Sequence, residues 1–268
     1  MEFKELGHWC KWLEKNFSPE IMIPTLPVII RLDGNNFHNW TKGLNRPFDE
    51  GLVNLMIETT RILVAETNAV IGYTQSDEIT LVLYSPTKES AIYHEGKKQK
   101  ILSKLTAKCV NIFNELRKNY LPEHDKVAVF DCRIYQTPTL EDASLQLLWR
   151  ENDAIKNSKQ ILGRSVYSHN KLHNLNTDEI VNMLNKEKKI NWNDLPSKYR
   201  KGSYIKKIKV LRKYTNEELK VLPAKHNAHK NPDLKIERTE FINMDYPYMN
   251  EVSNKTDIIF NNAKPILK

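Results

Sequence analysis

At 268 residues, with 40% apolar and 28% charged side chains, the chain is long enough to bury a sizeable core, and no stretch of it approaches the apolar length of a membrane span. The start, Met1-Glu2-Phe3-Lys4-Glu5-Leu6, lacks the apolar core of a signal peptide. The three cysteines, Cys10, Cys109 and Cys132, have neither disulfide-framework nor zinc-ligand spacing, so a reducing, cytoplasmic location is expected. The formal charge of +8, from 41 Lys and Arg against 33 acids, favours polyanionic partners through counterion release. Basic clusters stand at Lys97-Lys98-Gln99-Lys100, from Lys198 to Lys201 and from Lys206 to Lys213.

Along the chain, Trp9, Trp12, Leu13 and Phe17 recur at near-helical spacing and predict a short amino-terminal helix within residues 1–17. The β-branched run Val28-Ile29-Ile30 opens a strand to about Leu32. A helix follows from about Glu50 to Thr67, with Asp49 as its cap. The segments 69–73 and 79–84 read as a hairpin with Asp77 and Glu78 at its tip. A second long helix runs from about Gly96 to Asn119, showing Ile101, Leu105, Cys109, Ile112 and Phe113 on one face. Val127 to Phe130 predicts a further strand, ending at Asp131-Cys132-Arg133.

This order, strand, helix, strand, strand, helix, strand, is the ferredoxin-like split βαβ pattern, an α+β fold used by the palm domains of polymerases and nucleotidyl cyclases. It predicts a palm-like domain over residues 1–137. Beyond it come a helical, fingers-like extension over 138–213 that returns to the palm, and a loosely structured tail over 214–268, rich in Asn and punctuated by Pro223, Pro232 and Pro247. Within the extension, helices are expected from Leu140 to about Tyr167 and from Thr177, with Thr177 as cap. Trp149, Tyr167 and Trp192 are expected to pack in helix cores.

Asp33 follows the buried strand and precedes Gly34, which permits a sharp turn, so its carboxylate is set where the strand leaves the core. If the first strand neighbours the hairpin, Asp33 and Asp77 converge. Hard oxygen donors with few histidines suit Mg²⁺, which takes a couple of carboxylates and fills its shell with water and phosphate oxygens. Two such ions would activate an attacking hydroxyl and steady a pyrophosphate leaving group.

Six motifs extend this reading: Arg31-Leu32-Asp33-Gly34-Asn35-Asn36-Phe37-His38, Arg46-Pro47-Phe48-Asp49, Tyr73-Thr74-Gln75-Ser76-Asp77-Glu78, Phe130-Asp131-Cys132-Arg133, Trp149-Arg150 with Asp153 and Asn157, and Tyr199-Arg200-Lys201-Gly202. In this order they resemble the tRNA-histidine guanylyltransferases and their tRNA 5′-end repair relatives, which add nucleotides in the 3′ to 5′ direction. The resemblance implies that a nucleoside triphosphate, ATP or GTP among others, activates a 5′-monophosphorylated tRNA, whose 5′ end is then attacked by the 3′-hydroxyl of an incoming nucleotide. It makes Asp33, Asp77 and Glu78 the catalytic group, with Asp33, Asp77 and the Gly34 carbonyl as ligands of two Mg²⁺ ions. It gives the triphosphate to the backbone N–H groups of Asn36, Phe37 and His38 with Arg46 and Ser76, and the 5′-end phosphates to Arg31, Lys100 and Arg133. Arg150, Asp153, Asn157, Tyr199, Arg200 and Lys201 become tRNA-facing positions. Assembly into dimers or tetramers is implied as well.

Where eukaryotic members carry His-Ile-Asn-Asn, this chain has Ile155-Lys156-Asn157-Ser158. The departure favours templated repair of 5′-truncated tRNAs over addition of the extra G to tRNA-histidine. Two other classes compete. A nucleotidyl cyclase would need no polyanion site, which the basic second half argues against, and a non-catalytic RNA-binding module would bind tRNA without regard to Mg²⁺ or Asp33.

Overall fold

The computed structural model describes residues 8–10, 12, 20–23, 25–87 and 91–268. Of the expected amino-terminal helix, residues 8–10 and 12 are helical and the rest lies outside the described residues.

Successive side chains of a strand point to opposite faces, and β1 (Val28–Gly34) uses this to separate two chemistries. Val28, Ile30 and Leu32 point one way; Ile29, Arg31 and Asp33 point the other. β1 lies between β3 (Glu78–Leu83) and β4 (Phe130–Gln136), antiparallel to both. β2 (Ile71–Gln75), β5 (Ser203–Lys213) and β6 (Lys235–Met244) complete a six-stranded antiparallel sheet in the order β4-β1-β3-β2-β5-β6. A single turn, α1 (Phe37–Trp40), and then α2 (Glu50–Thr67) link β1 to β2, and α3 (Lys98–Tyr120) links β3 to β4. The first four strands and their two long helices therefore follow the expected order. The α2 boundaries coincide with those read from the sequence, and Asp49 caps that helix by accepting from the Leu52 amide.

One face of the sheet is apolar over β1, β3 and β4. Ile30, Leu32, Leu81, Phe130 and Ile134 pack there against Leu55, Leu63 and Val64 of α2 and against Ile101, Leu105, Cys109 and Phe113 of α3. The opposite face carries Ile29, Ile71, Tyr73, Val82 and Tyr204 beneath Ala143 and Leu147 of α4 (Leu140–Val166), and beneath Ile258 and Ile259 of α9 (Lys255–Asn261). Each such side chain, fully buried, contributes about 1.5–3 kcal/mol. The far end of α4 packs with α6 (Thr177–Lys188) through Leu162, Ile180, Leu184 and Trp192. The remaining short helices are α5 (His169–Leu172), α7 (Ser197–Arg200) and α8 (Asn216–Val221).

Three expectations are corrected. The strand predicted at Val127 to Phe130 begins at Phe130 instead, because pairing with β1 starts at Gly34 opposite Phe130 and leaves Val127 and Val129 exposed. Asp131 and Arg133 are consequently strand residues. Residues 214–268 are not a loose tail: β6 pairs with β5 from Tyr204 opposite Met244 to Lys213 opposite Lys235, and α9 packs under α4. The prolines fall between these elements rather than replacing them. The α6 cap is Asn176, which exchanges hydrogen bonds with Glu179 in a capping box, and Thr177 is the first helical residue.

The charge clusters are largely neutralised within the chain. Lys97 pairs with Glu95, Lys98 with Glu20, Lys209 with Glu237, Lys213 with Asp233, and Arg212 with Glu218 and Glu240. Among the described residues no helix is long and apolar enough to cross a membrane.

Candidate active site

Two residues, Ser76 and Asp77, connect β2 to β3, and the turn is tight because Ser76 adopts a left-handed backbone with φ of 50°. The amide of Gly34 donates to the Asp77 carbonyl at 3.1 Å, so the end of β1 is fastened to the tip of this hairpin. Gly34 is required here: a Cβ would stand 2.2 Å from the Phe37 ring, which folds back under the strand. Asp33 lies opposite Glu78 on one neighbouring strand and opposite Asp131 on the other. Burial pushes the Asp77 carboxyl above the usual carboxylate range, a hydrogen bond from Ser76 partly offsets this, and the negative charges of Asp33 and Glu78 raise it further. β1 thus neighbours the hairpin, which is the condition the sequence sets for Asp33 and Asp77 to converge.

Repulsion among acids is what a divalent cation relieves. Among the described residues no three His, Cys, Asp or Glu side chains gather around one point. The available donors are the two aspartates and the Gly34 carbonyl between them in the chain, all hard oxygens. This set fits a cation that completes its shell with water and phosphate, and does not fit a zinc site.

Glu78 plays a different part from the two aspartates. Its carboxylate is buried and receives a bidentate pair from Arg150, Nε to Oε1 at 2.7 Å and Nη2 to Oε2 at 2.6 Å, with Thr80 donating to Oε1. Its carboxylate is thus engaged by the protein's own side chains. The same pair corrects the reading of Arg150 as tRNA-facing. Leu147, Arg150 and Ala154 share the α4 stripe that faces the sheet, so the guanidinium is buried, and Asp153 braces it at 3.2 Å. Arg31 approaches Glu78 to 3.7 Å, and the guanidinium groups of Arg31 and Arg150 both lie against the Trp149 ring, 4.9 and 4.6 Å from its centroid. Trp149, expected in a helix core, is 52% exposed.

The three bases assigned to the 5′-end phosphates divide. Arg31 and Arg133 are opposite each other on β1 and β4, and Arg133 reaches to 4.0 Å from Asp33 and 3.7 Å from Asp131. Lys100 stands elsewhere. The start of α3 is tied to residues 20–22, and Ile23 is tied to Gln136, which lies opposite Val28. That places Lys100 at the end of the sheet remote from Asp33, about 20 Å along β1. Within one chain Lys100 shares no phosphate with Arg133.

After β1 the chain turns through Asn36, whose φ is 54°. Among the described residues the amide N–H groups of Asn36, Phe37 and His38 find no acceptor, as required of donors for a phosphate. The Phe37 ring is in the core against Trp40, Phe113 and Phe130, so that residue offers only its backbone, while the His38 side chain is exposed. Beyond this loop lies a cavity of about 320 Å³. Arg46, Phe48, Ser76, Asn157, Gln160 and Tyr199 are among its lining, and Phe48 stacks on Tyr199 at 5.0 Å between ring centroids. The buried Asp49 carboxylate fixes the rim by accepting from the amides of Asn45 and Leu52.

The remaining tRNA-facing positions divide as well. Asn157 and Tyr199 line the cavity. Lys201 is buried with its ammonium bonded to the Tyr246 carbonyl, and Arg200 donates to the Tyr248 hydroxyl at 2.6 Å. Both turn inward because Gly202, with φ of 78°, brings the chain onto β2, where a Cβ would meet the Thr74 carbonyl at 2.5 Å. Gln160 and Arg164 were not singled out from the sequence; their spacing from Asn157 along α4 is the signal that puts them on one helix face.

Comparison with known proteins follows this geometry. The family described as "Thg1: tRNAHis guanylyltransferase" matches residues 10–138. A probable tRNA(His) guanylyltransferase of Dictyostelium discoideum is 30% identical over 227 residues, covering 79% of this chain and 86% of the relative. A bacterial tRNA(His) guanylyltransferase (Thg1)-like protein solved in complex with ATP superimposes with a TM-score of 0.70 at 33% identity, over 76% of this chain and 87% of that one. The complex of such a bacterial protein with GTP gives 0.69 at 26% identity, over 92% and 94%.

Proposed function

The chain belongs to the tRNAHis guanylyltransferase family of nucleotidyltransferases, and we propose that it adds a nucleotide, in the first place G, to the 5′ end of tRNA. The observation that carries this reading is the meeting of Asp33 and Asp77 beside a cavity large enough for a nucleobase. The palm reading of the sheet belongs to it: the antiparallel order β4-β1-β3-β2 puts Asp33 on a central strand whose carboxyl end is open.

Two phosphoryl transfers are required. In the first, an oxygen of the RNA 5′-monophosphate attacks the α-phosphorus of ATP or GTP, and the bond to pyrophosphate breaks. In the second, the 3′-hydroxyl of the incoming nucleotide attacks the activated 5′ phosphorus, loses its proton, and releases the nucleoside monophosphate. The protein's task in both is positioning and neutralising charge. The free amides of Asn36, Phe37 and His38 and the Arg46 guanidinium bind the triphosphate, and the Phe48–Tyr199 side of the cavity takes its base. Ser76, next to Asp77 in the turn, orients that carboxylate. Arg31 and Arg133 face the 5′ phosphate. Asp33, Asp77 and the Gly34 carbonyl would hold two Mg²⁺ ions, which when bound supply Lewis acidity toward the phosphoryl oxygens. Assembly into dimers or tetramers accompanies this reading.

Addition of G to tRNA-histidine leads here because the named relatives favour it. Templated repair is kept as a second reading on one observation, the departure at Ile155-Lys156-Asn157-Ser158. Its weight is reduced by the structure around Ser158, whose hydroxyl donates to the Arg200 carbonyl and accepts from the Trp192 indole. Ser158 lines the cavity with Asn157, but its hydroxyl is engaged within the protein. The test supplies the protein with Mg²⁺, ATP and all four nucleotides, and with two 5′-monophosphorylated substrates: tRNA-histidine lacking its extra G, and a tRNA missing its first paired nucleotide. Selective G addition to the first is the expected result. Preferred extension of the second by the complementary nucleotide establishes repair, and extension of neither overturns both.

A further inference from the structure

Trp149 has no part in the machinery described above, and its setting is unusual. The neighbouring residues Leu147, Arg150 and Ala154 turn toward the sheet, yet this indole lies half in solvent on the same helix. Arg31 and Arg150 both approach Glu78, at 3.7 and 2.7 Å, and their guanidinium groups lie 4.9 and 4.6 Å from the centroid of the Trp149 ring. Cation–π contact from two partially desolvated arginines fixes the indole's orientation before any ligand arrives. The residue nevertheless keeps 52% of its surface exposed.

The position of the ring follows from the helix. Gln146, one turn earlier on α4, accepts from the Tyr135 hydroxyl of β4 at 3.0 Å, so this flank of α4 lies over β4. β4 carries Arg133 opposite Arg31, and Arg133 is 4.0 Å from Asp33. An open aromatic face, two guanidinium groups and a metal-type carboxylate therefore share one sheet face within about one strand repeat, ~7 Å. The cavity beside Ser76 lies on the other flank, toward β2. Two features that accept a nucleotide thus stand on opposite sides of the Asp33–Asp77 pair.

We infer that Trp149 is the stacking platform for the base of the RNA's 5′-terminal nucleotide, whose phosphate lies between Arg31 and Arg133. The inference rests on the reading of the chain as a 5′-end nucleotidyltransferase. An aromatic face accepts any base, because every base has a π-face. The indole is half exposed, and stacking on one ring strengthens binding by roughly tenfold to a hundredfold, too little to retain a free nucleoside. It suffices for a base delivered by an RNA held elsewhere on the protein. That separates it from the cavity, which encloses its ligand.

The experiment uses the full chain and a 5′-monophosphorylated tRNA with 2-aminopurine at its first position, without nucleoside triphosphate. Binding to the wild type quenches the fluorescence. Trp149→Ala abolishes the quench, and Trp149→Phe keeps most of it. In steady-state transfer, Trp149→Ala raises KM for tRNA about tenfold or more, while KM for the activating triphosphate stays within about twofold. Persistent quenching in Trp149→Ala, an equal defect toward the triphosphate, or a Phe variant as impaired as Ala overturns the inference. If Trp149→Ala does not fold, the wild-type quench and the Trp149→Phe variant decide the matter. An active wild type without quenching removes the platform alone. Quenching without transfer to any RNA removes the enzymatic reading alone.

Discussion

Ile29 and Ile30 are neighbours on β1, yet they look onto different interiors. Beneath α2 and α3 the sheet is apolar from Val28 to Gly34. Beneath α4 it is apolar only as far as Ile29, and then Arg31, Asp33, Glu78, Asp131 and Arg133 follow. The first face has no place for a charge, since an unpaired charge there would be costly. The second collects the charges of the strand centre, and α4 covers Glu78 there with an arginine of its own. The candidate site lies where one core ends, with the other core holding its strand in register.

Changes to the two faces should therefore separate stability from chemistry. Asp33→Ala or Asp77→Ala should lower nucleotide transfer at least about a thousandfold, several kcal/mol of lost charge stabilisation, with a melting midpoint close to the wild type's. Transfer within tenfold of wild type in either variant would remove these residues from the site. Arg150→Met leaves the Glu78 carboxylate buried without its partner and should cost about 3–5 kcal/mol in denaturant unfolding, together with a loss of transfer. Leu63→Ala on the apolar face should cost about 2–5 kcal/mol and leave the turnover of the folded fraction unchanged. Equal effects of the two on turnover would erase the distinction between the faces.

The charged face also predicts a pH dependence. Glu151 is a fully buried residue of α4, its Oε1 has no partner, and burial pushes its carboxyl up to about 7, against an ordinary 4.5, while bonding from the Met249 amide and the charge of Lys201 pull it back. Because the folded value is raised, the stability it contributes is complete below about 4.5, is lost as the pH rises to about 7, and is constant above. Relative to Glu151→Gln, the wild type should lose on the order of 3 kcal/mol across that window. Parallel curves for the two proteins would contradict the assignment. The smallest effect is expected at the exposed rim: Arg46→Ala should raise KM for the activating triphosphate about tenfold and leave stability unchanged.

Much of this was legible in the sequence, for identifiable reasons. A β-branched run ending in Asp33-Gly34 and a hairpin centred on Asp77 are local signals, as is the Asp49 cap, and local signals survive folding. Arg150 shows the limit. Whether a helical arginine faces solvent or sheet depends on which stripe of the helix packs, and Leu147, Arg150 and Ala154 share one stripe only once α4 is laid on the sheet. The separation of Lys100 from Arg133 within the chain is topological, since α3 must start at the far end of the sheet to return to β4. The basic run from Lys206 to Lys213 was legible as charge but not as pairing. Lys206 is buried against the carbonyls of Ile258 and Ile259 at the end of α9, and Lys209, Arg212 and Lys213 meet acids that are remote in sequence.

The most direct test of the central claim is metal-dependent labelling of the RNA end. Wild-type protein is incubated with 5′-monophosphorylated tRNA and ATP labelled at its α-phosphate, first with a chelator and then with Mg²⁺ restored in steps. Transfer of label to the RNA 5′ end that is absent with chelator, returns with Mg²⁺ and is lost in Asp33→Ala and Asp77→Ala is the predicted result. Label transfer that persists in the chelator, or that both aspartate variants retain, would contradict the account of these two carboxylates as the metal-binding centre of a nucleotidyltransferase.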